Sequence, residues 1–94
     1  MGVKVFVPSL LAQDMGLSRK LSVDVSTVRD LLQTMDKKAS GFKDSICDET
    51  GRIRPYVNIF LNGVNIRSKE DVFGTPLRDG DIVYILPSVA GGLI

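Results

Sequence analysis

The chain has 94 residues, 44% of them hydrophobic and 24% charged, and twelve Lys and Arg nearly cancel eleven Asp and Glu to leave a net charge of +1. That is the length and composition of one globular domain. The near-neutral balance argues against a nucleic-acid partner, which calls for a basic excess or stripe; Arg52-Ile53-Arg54 reads as a solvated loop. There is no histidine and only one cysteine, Cys47. This excludes a His-based triad, a Cys–His dyad and a His–metal site, an internal disulfide, and a self-contained iron–sulfur site, which needs about four thiolates. No metal or cofactor bound by the chain is expected.

Met1 to Leu10 carries one charge, Lys4, and no long apolar run, so no signal peptide is expected there. No stretch approaches the ~20 apolar residues of a membrane span. With a lone thiol that suits a reducing compartment, the expected location is the cytoplasm, with no membrane partner.

In chain order, Val3, Val5 and Val7 alternate with Lys4 and Phe6, a half-buried strand that Pro8 ends. Leu21, Val23 and Val25 alternate in the same way and are expected to pair with it as a hairpin, with Ser9 to Ser18 as the loop. Thr27 then offers an N-cap with Asp30 three residues on. Val28, Leu31, Leu32 and Met35 share one helical face, and Lys37 and Lys38 sit near the C-terminal end, where positive charge is favoured. Residues 39–55 read as irregular, with Phe42 and Ile46 able to anchor a further helical turn. Tyr56 to Leu61 is a third strand, Asn62-Gly63 a tight turn, and Val64 to Ile66 a short return. Arg78-Asp79-Gly80-Asp81 is another turn; its two carboxylates are explained by turn chemistry rather than as a catalytic pair. Ile82 to Leu86, almost wholly apolar, is a last strand that is either central or functional on its outer face, and Pro87 stops it.

This order predicts a two-layer α+β domain over residues 1–87, one sheet with one main helix across it, followed by a flexible tail, 88–94. The expected core is Val3, Val5, Val7, Leu21, Val23, Val28, Leu31, Leu32, Met35, Ile59, Leu61, Val83 and Ile85.

The run from Asp79 to Gly92, with its Ile85-Leu86-Pro87-Ser88-Val89-Ala90-Gly91-Gly92 ending directly after a strand, resembles the C-terminal signature of the prokaryotic ubiquitin-like sulfur carriers. These include the small subunit of molybdopterin synthase and the thiamine-pathway carrier. Tyr56 to Gly63 is similar to the family's third strand, and the likeness is closest to the carrier that serves cysteine biosynthesis. The resemblance implies a ubiquitin-like β-grasp fold with a mixed sheet, and a non-enzymatic carrier whose reactive carboxylate belongs to Gly92. It further implies an E1-like partner that adenylates Gly92 with ATP, conversion to a thiocarboxylate, and a sulfur-accepting synthase, in the synthesis of cysteine or a related amino acid.

Glycines and the small Val89 and Ala90 suit a tail that threads a narrow channel, since glycine has no Cβ. The chain departs from the family in continuing with Leu93-Ile94. While they remain, the Gly92 carbonyl is an amide, so trimming between Gly92 and Leu93 is expected. The resemblance suggests a JAMM-type zinc metalloprotease for it. By strand alternation Phe6, Phe60, Tyr84 and Leu86 point away from the core and form an expected docking patch for the activating partner. Two other readings fit the same tail: a protein modifier joined to lysines through Gly92, or a β-grasp interaction module without tail chemistry.

Overall fold

The computed structural model describes residues 2–87. The tail, 88–94, with Val89, Ala90, Gly91, Gly92 and Leu93, lies outside the described residues. Five strands, β1 (Val3–Phe6), β2 (Lys20–Val23), β3 (Val57–Leu61), β4 (Val64–Asn65) and β5 (Ile82–Pro87), form one sheet in the order β2-β1-β5-β3-β4. Only β1 and β5 run parallel; the other pairs are antiparallel. With the main helix, α2 (Val28–Lys38), this is the mixed-sheet β-grasp arrangement.

Register divides the sheet into two chemically distinct faces. Val3 pairs with Val23, Val5 with both Leu21 and Val83, and Ile59 with Ile85. These are the inward rungs, and they join Val28, Leu31, Leu32 and Met35 of α2 in one buried cluster. Of the expected core, Leu21 and Leu61 are only partly buried against it. At α2 the Thr27 Oγ1 accepts the Asp30 N–H at 3.1 Å, a cap worth about 1 kcal/mol. Each apolar side chain fully buried contributes about 1.5–3 kcal/mol, so the four buried residues of α2, not its cap, hold it in place.

Of two further helices, one departs from the expected order and the other forms where Phe42 and Ile46 were expected to anchor a turn. The Ser9–Ser18 connection is not a plain loop: it holds α1 (Ser9–Met15), whose Ala12 is buried and whose Leu11 and Met15 pack on the core. Gly16 closes it at φ 67°, with Leu17 N–H donating to Ala12 O and Gly16 N–H to Gln13 O, the hydrogen bonds of a Schellman end. Burial of three side chains outweighs the weak propensity of so short a helix. The second, α3 (Phe42–Ile46), buries Phe42 and Ile46 one turn apart. A loop of 3₁₀ character at Val72–Gly74 adds core residues the sequence pattern did not mark: Ile66, Val72 and Leu77 are all buried. It is tied to the start of α2 by Leu77 N–H to Ser26 O and Val28 N–H to Thr75 O.

Turn chemistry positions β5. Asn62 and Gly63 both have positive φ, 50° and 88°, as the tight turn between β3 and β4 requires. Asn62 Oδ1 accepts the Ile82 N–H at 2.9 Å and Asn62 Nδ2 donates to Asp81 Oδ1 at 3.0 Å. Asp81 Oδ2 accepts the Arg78 N–H at 2.9 Å. The Asn62 hydrogen bond and then the Arg78 N–H hold the Asp81 carboxyl below its ordinary pKa.

Phe42→Ala is expected to cost about 3–5 kcal/mol in urea denaturation with an unchanged m-value. A loss near 1 kcal/mol would contradict its place sealing the core. Because folding lowers the Asp81 pKa, its stabilisation is present above the ordinary carboxylate range, near pH 4. It is lost as pH falls through the folded value. Asp81→Asn is therefore expected to flatten the fall in stability below about pH 4, read as denaturation midpoints against pH; an unchanged acid limb would contradict this.

Candidate functional site

The outward rungs of the sheet carry a different set of residues. Phe6 pairs with Tyr84 across β1 and β5, Phe60 pairs with Tyr84 across β3 and β5, and Asn58 pairs with Leu86. The structure thus brings Phe6, Phe60, Tyr84 and Leu86 onto one face, centred on β5. The Phe6 and Tyr84 rings stack at 4.4 Å between centroids, 8° from parallel, an arrangement worth about 0.5–1.5 kcal/mol beyond area burial. Phe6 and Phe60 are half-buried, while Tyr84 and Leu86 remain 39% and 41% exposed. The aromatic pair is therefore preformed, and its cost of ordering is met in the free protein.

Of the two properties that the composition of β5 left open, the structure shows the first. The strand is central, between β1 and β3, and its outer side chains are open to solvent. Pro87, the last described residue, pairs with Val57 of β3 and anchors the point from which residues 88–92 continue.

Residues the sequence reading did not single out extend the face. Pro8 and Leu10, with Leu10 75% exposed, border a groove of about 540 Å³ that Phe6, Tyr84 and Leu86 also line. Arg19 and Lys20 also line it. Lys20 pairs with Phe6 across β1 and β2 and places its Nζ 5.9 Å from the Phe6 ring centroid, within cation–π reach. The Phe6–Lys20 neighbourhood follows from hairpin register. Leu10 had no such signal, because its place depends on α1 forming.

The remaining candidates are structural. Cys47 is buried in the core and bridges to Ile53. Burial pushes its thiol pKa up, against the opposing charge of Lys43, so the unreactive thiol is favoured. Asp81 is committed to its turn. Among the described residues no group of three or more Cys, Asp or Glu is placed to hold a metal ion.

Phe60, Tyr84, Leu86 and the run to Gly92 fall within a known family pattern. A model of the ThiS family matches residues 12–92. The sulfur carrier protein CysO of Mycobacterium tuberculosis is 31% identical over 94 residues, covering 98% of this chain and 100% of that protein. Small archaeal modifier protein 3 of Haloferax volcanii is 35% identical over 69 residues, 73% of each chain. The crystal structure of the Amycolatopsis orientalis BexX/CysO complex contains a chain that superposes with a TM-score of 0.83 at 25% identity, covering 97% of this chain and 100% of that one. The family model over most of the chain and the full-length likeness agree: the chain belongs to the ThiS family.

Proposed function

We propose that this protein is a sulfur carrier, a donor protein rather than an enzyme, whose working group is the carboxylate of Gly92. The observation that carries this reading is the construction of β5. The strand that exposes Tyr84 and Leu86 ends at Pro87, one residue before the Val89-Ala90-Gly91-Gly92 run. Five residues span at most about 17 Å, so a partner seated on the outer face has Gly92 within reach of its own active site. The family match ends at Gly92, with Leu93-Ile94 beyond it, which supports Gly92 as the functional end.

The chemistry proceeds as follows. A peptidase, of the zinc-dependent JAMM type, hydrolyses the Gly92–Leu93 bond and frees the carboxylate. The adenylating partner lets a carboxylate oxygen attack the α-phosphorus of ATP, and pyrophosphate leaves. Hydrosulfide attacks the acyl carbon, AMP leaves, and a proton is released to give the thiocarboxylate. On the acceptor synthase this sulfur attacks an electrophilic carbon and displaces its leaving group. Hydrolysis of the acyl–sulfur bond then leaves sulfur on the acceptor and restores the carboxylate. Likeness to CysO favours cysteine or a related amino acid as the destination. The BexX/CysO complex supports docking of such a carrier on a partner protein.

Likeness to an archaeal modifier favours a second reading, conjugation of Gly92 to lysines of other proteins. It shares the adenylate and differs only in the nucleophile.

The chain ending at Gly92, given the adenylating enzyme, ATP and sulfide, is expected to gain one sulfur in place of oxygen by intact mass, and the 94-residue chain is expected to stay unmodified. Equal loading of both would contradict the requirement for trimming, and loading of neither would contradict the carrier reading. Tyr84→Ala with Leu86→Ala is expected to raise the KM for the carrier in ATP–pyrophosphate exchange about tenfold or more with kcat little changed. Lys38→Ala, an exposed residue on α2, is the control. An unchanged KM in the double variant would contradict docking on this face.

A further inference from the structure

The outer face has a directional charge pattern that the carrier reading alone does not require. Its centre is the aromatic strip Phe6–Tyr84 with Phe60 and Leu86. On the β1–β2 side stand three exposed cations: Lys4, which pairs with Ser22 and Ile82 on the same outward rungs, Lys20, and the adjoining Arg19. On the β3–β4 side the outward rungs carry amides instead: Asn58 beside Leu86, and Asn65 opposite Phe60, with Asn65 Nδ2 donating to Asn58 Oδ1 at 3.3 Å. The groove lined by Leu10 and Leu86 includes no carboxylate among its described residues and includes Arg19 and Lys20. The nearest carboxylate along β5, Asp81, is engaged by Asn62 and Arg78.

Resting on the proposed carrier function, we infer that the activating partner meets this face with an apolar anchor seated in the groove between Leu10 and Leu86, flanked by carboxylates that face Arg19, Lys20 and Lys4. The physical grounds are charge complementarity and continuity. Whatever covers Tyr84 and Leu86 from the β1 side also comes against Lys20, whose ammonium is held near the Phe6 ring. Desolvating that ammonium without a counter-charge is costly, and a facing carboxylate removes the cost. A cationic partner surface is repelled. A nucleic acid is a poor fit, because three cations around an aromatic centre, in a chain of net charge +1, do not make a basic track. Rim charges act mainly on the association rate and its dependence on salt.

The test uses the full chain and the adenylating enzyme of the same cell, with binding followed by biolayer interferometry at low and moderate salt. Arg19→Glu with Lys20→Glu, both exposed, is expected to weaken binding about tenfold or more, chiefly by slowing association. The wild type is expected to weaken several-fold between about 50 and 300 mM salt, and the double variant much less. A circular-dichroism melt of the variant separates misfolding from lost contact, and Arg19→Gln with Lys20→Gln, which removes charge without reversing it, is expected to fall between. Binding that is indifferent to salt and to charge reversal, or that is strengthened by the reversal, would overturn the inference. Pyrophosphate exchange with the chain ending at Gly92 is read separately. Salt-dependent binding without exchange would sink the Gly92 chemistry and leave the charged docking surface standing.

Discussion

Everything in this molecule depends on the register of β5 between β1 and β3. Because successive side chains in a strand point to opposite faces, one alignment places Val83 and Ile85 in the core and Tyr84 and Leu86 outside. A slip of one residue would exchange the two sets, burying a phenol and exposing two of the most deeply packed aliphatic side chains. Stability and the exposure of the proposed docking face are thus fixed by the same hydrogen bonds. Asn62 is the local guarantor of that register. Its side chain accepts from the Ile82 N–H while its backbone N–H donates to Ile82 O, so the β3–β4 turn grips the first residue of β5.

The division of labour that follows is sharp. The inner face is closed by α2, by α3 through Phe42 and Ile46, and by the 66–77 loop, leaving the lone thiol of Cys47 buried, where desolvation disfavours its thiolate. Among the described residues no helix lies across the outer face. Aromatic stacking of Phe6 on Tyr84 keeps that face organised without a cover, which is what a surface needs if it is to be covered and uncovered by successive partners. Under the proposed carrier function the reactive group at Gly92 needs no catalytic machinery within the domain. It needs an end that partners can reach and a face that tells them where the end is.

Much of this was legible in the sequence, and the parts that were not share a cause. Alternation in Val3–Val7 and in Ile82–Leu86, the helical spacing of Val28, Leu31, Leu32 and Met35, and the Asn62-Gly63 turn each carry their structure locally. So does the outward direction of Phe6, Phe60, Tyr84 and Leu86, since direction follows from period alone. The helix α1 was read as a loop because Leu11, Ala12 and Met15 span barely one turn, and their burial is decided by a core assembled from distant strands. Val72 and Leu77 escaped for the same reason: they lie in a loop without period, and its hydrogen bonds to Ser26 and Val28 hold it against the core. On the site, Lys20 could be placed from the β1–β2 register, whereas Leu10 could be placed only once α1 was known.

The central claim is that Gly92 becomes a free, sulfur-loaded carboxylate in the cell. The most direct measurement is the intact mass of the protein taken from its native cell under conditions that preserve thiocarboxylates. The account predicts a species ending at Gly92, together with a form in which sulfur replaces one carboxylate oxygen. A native pool that retains Leu93 and Ile94 throughout, with no modified form, would contradict it.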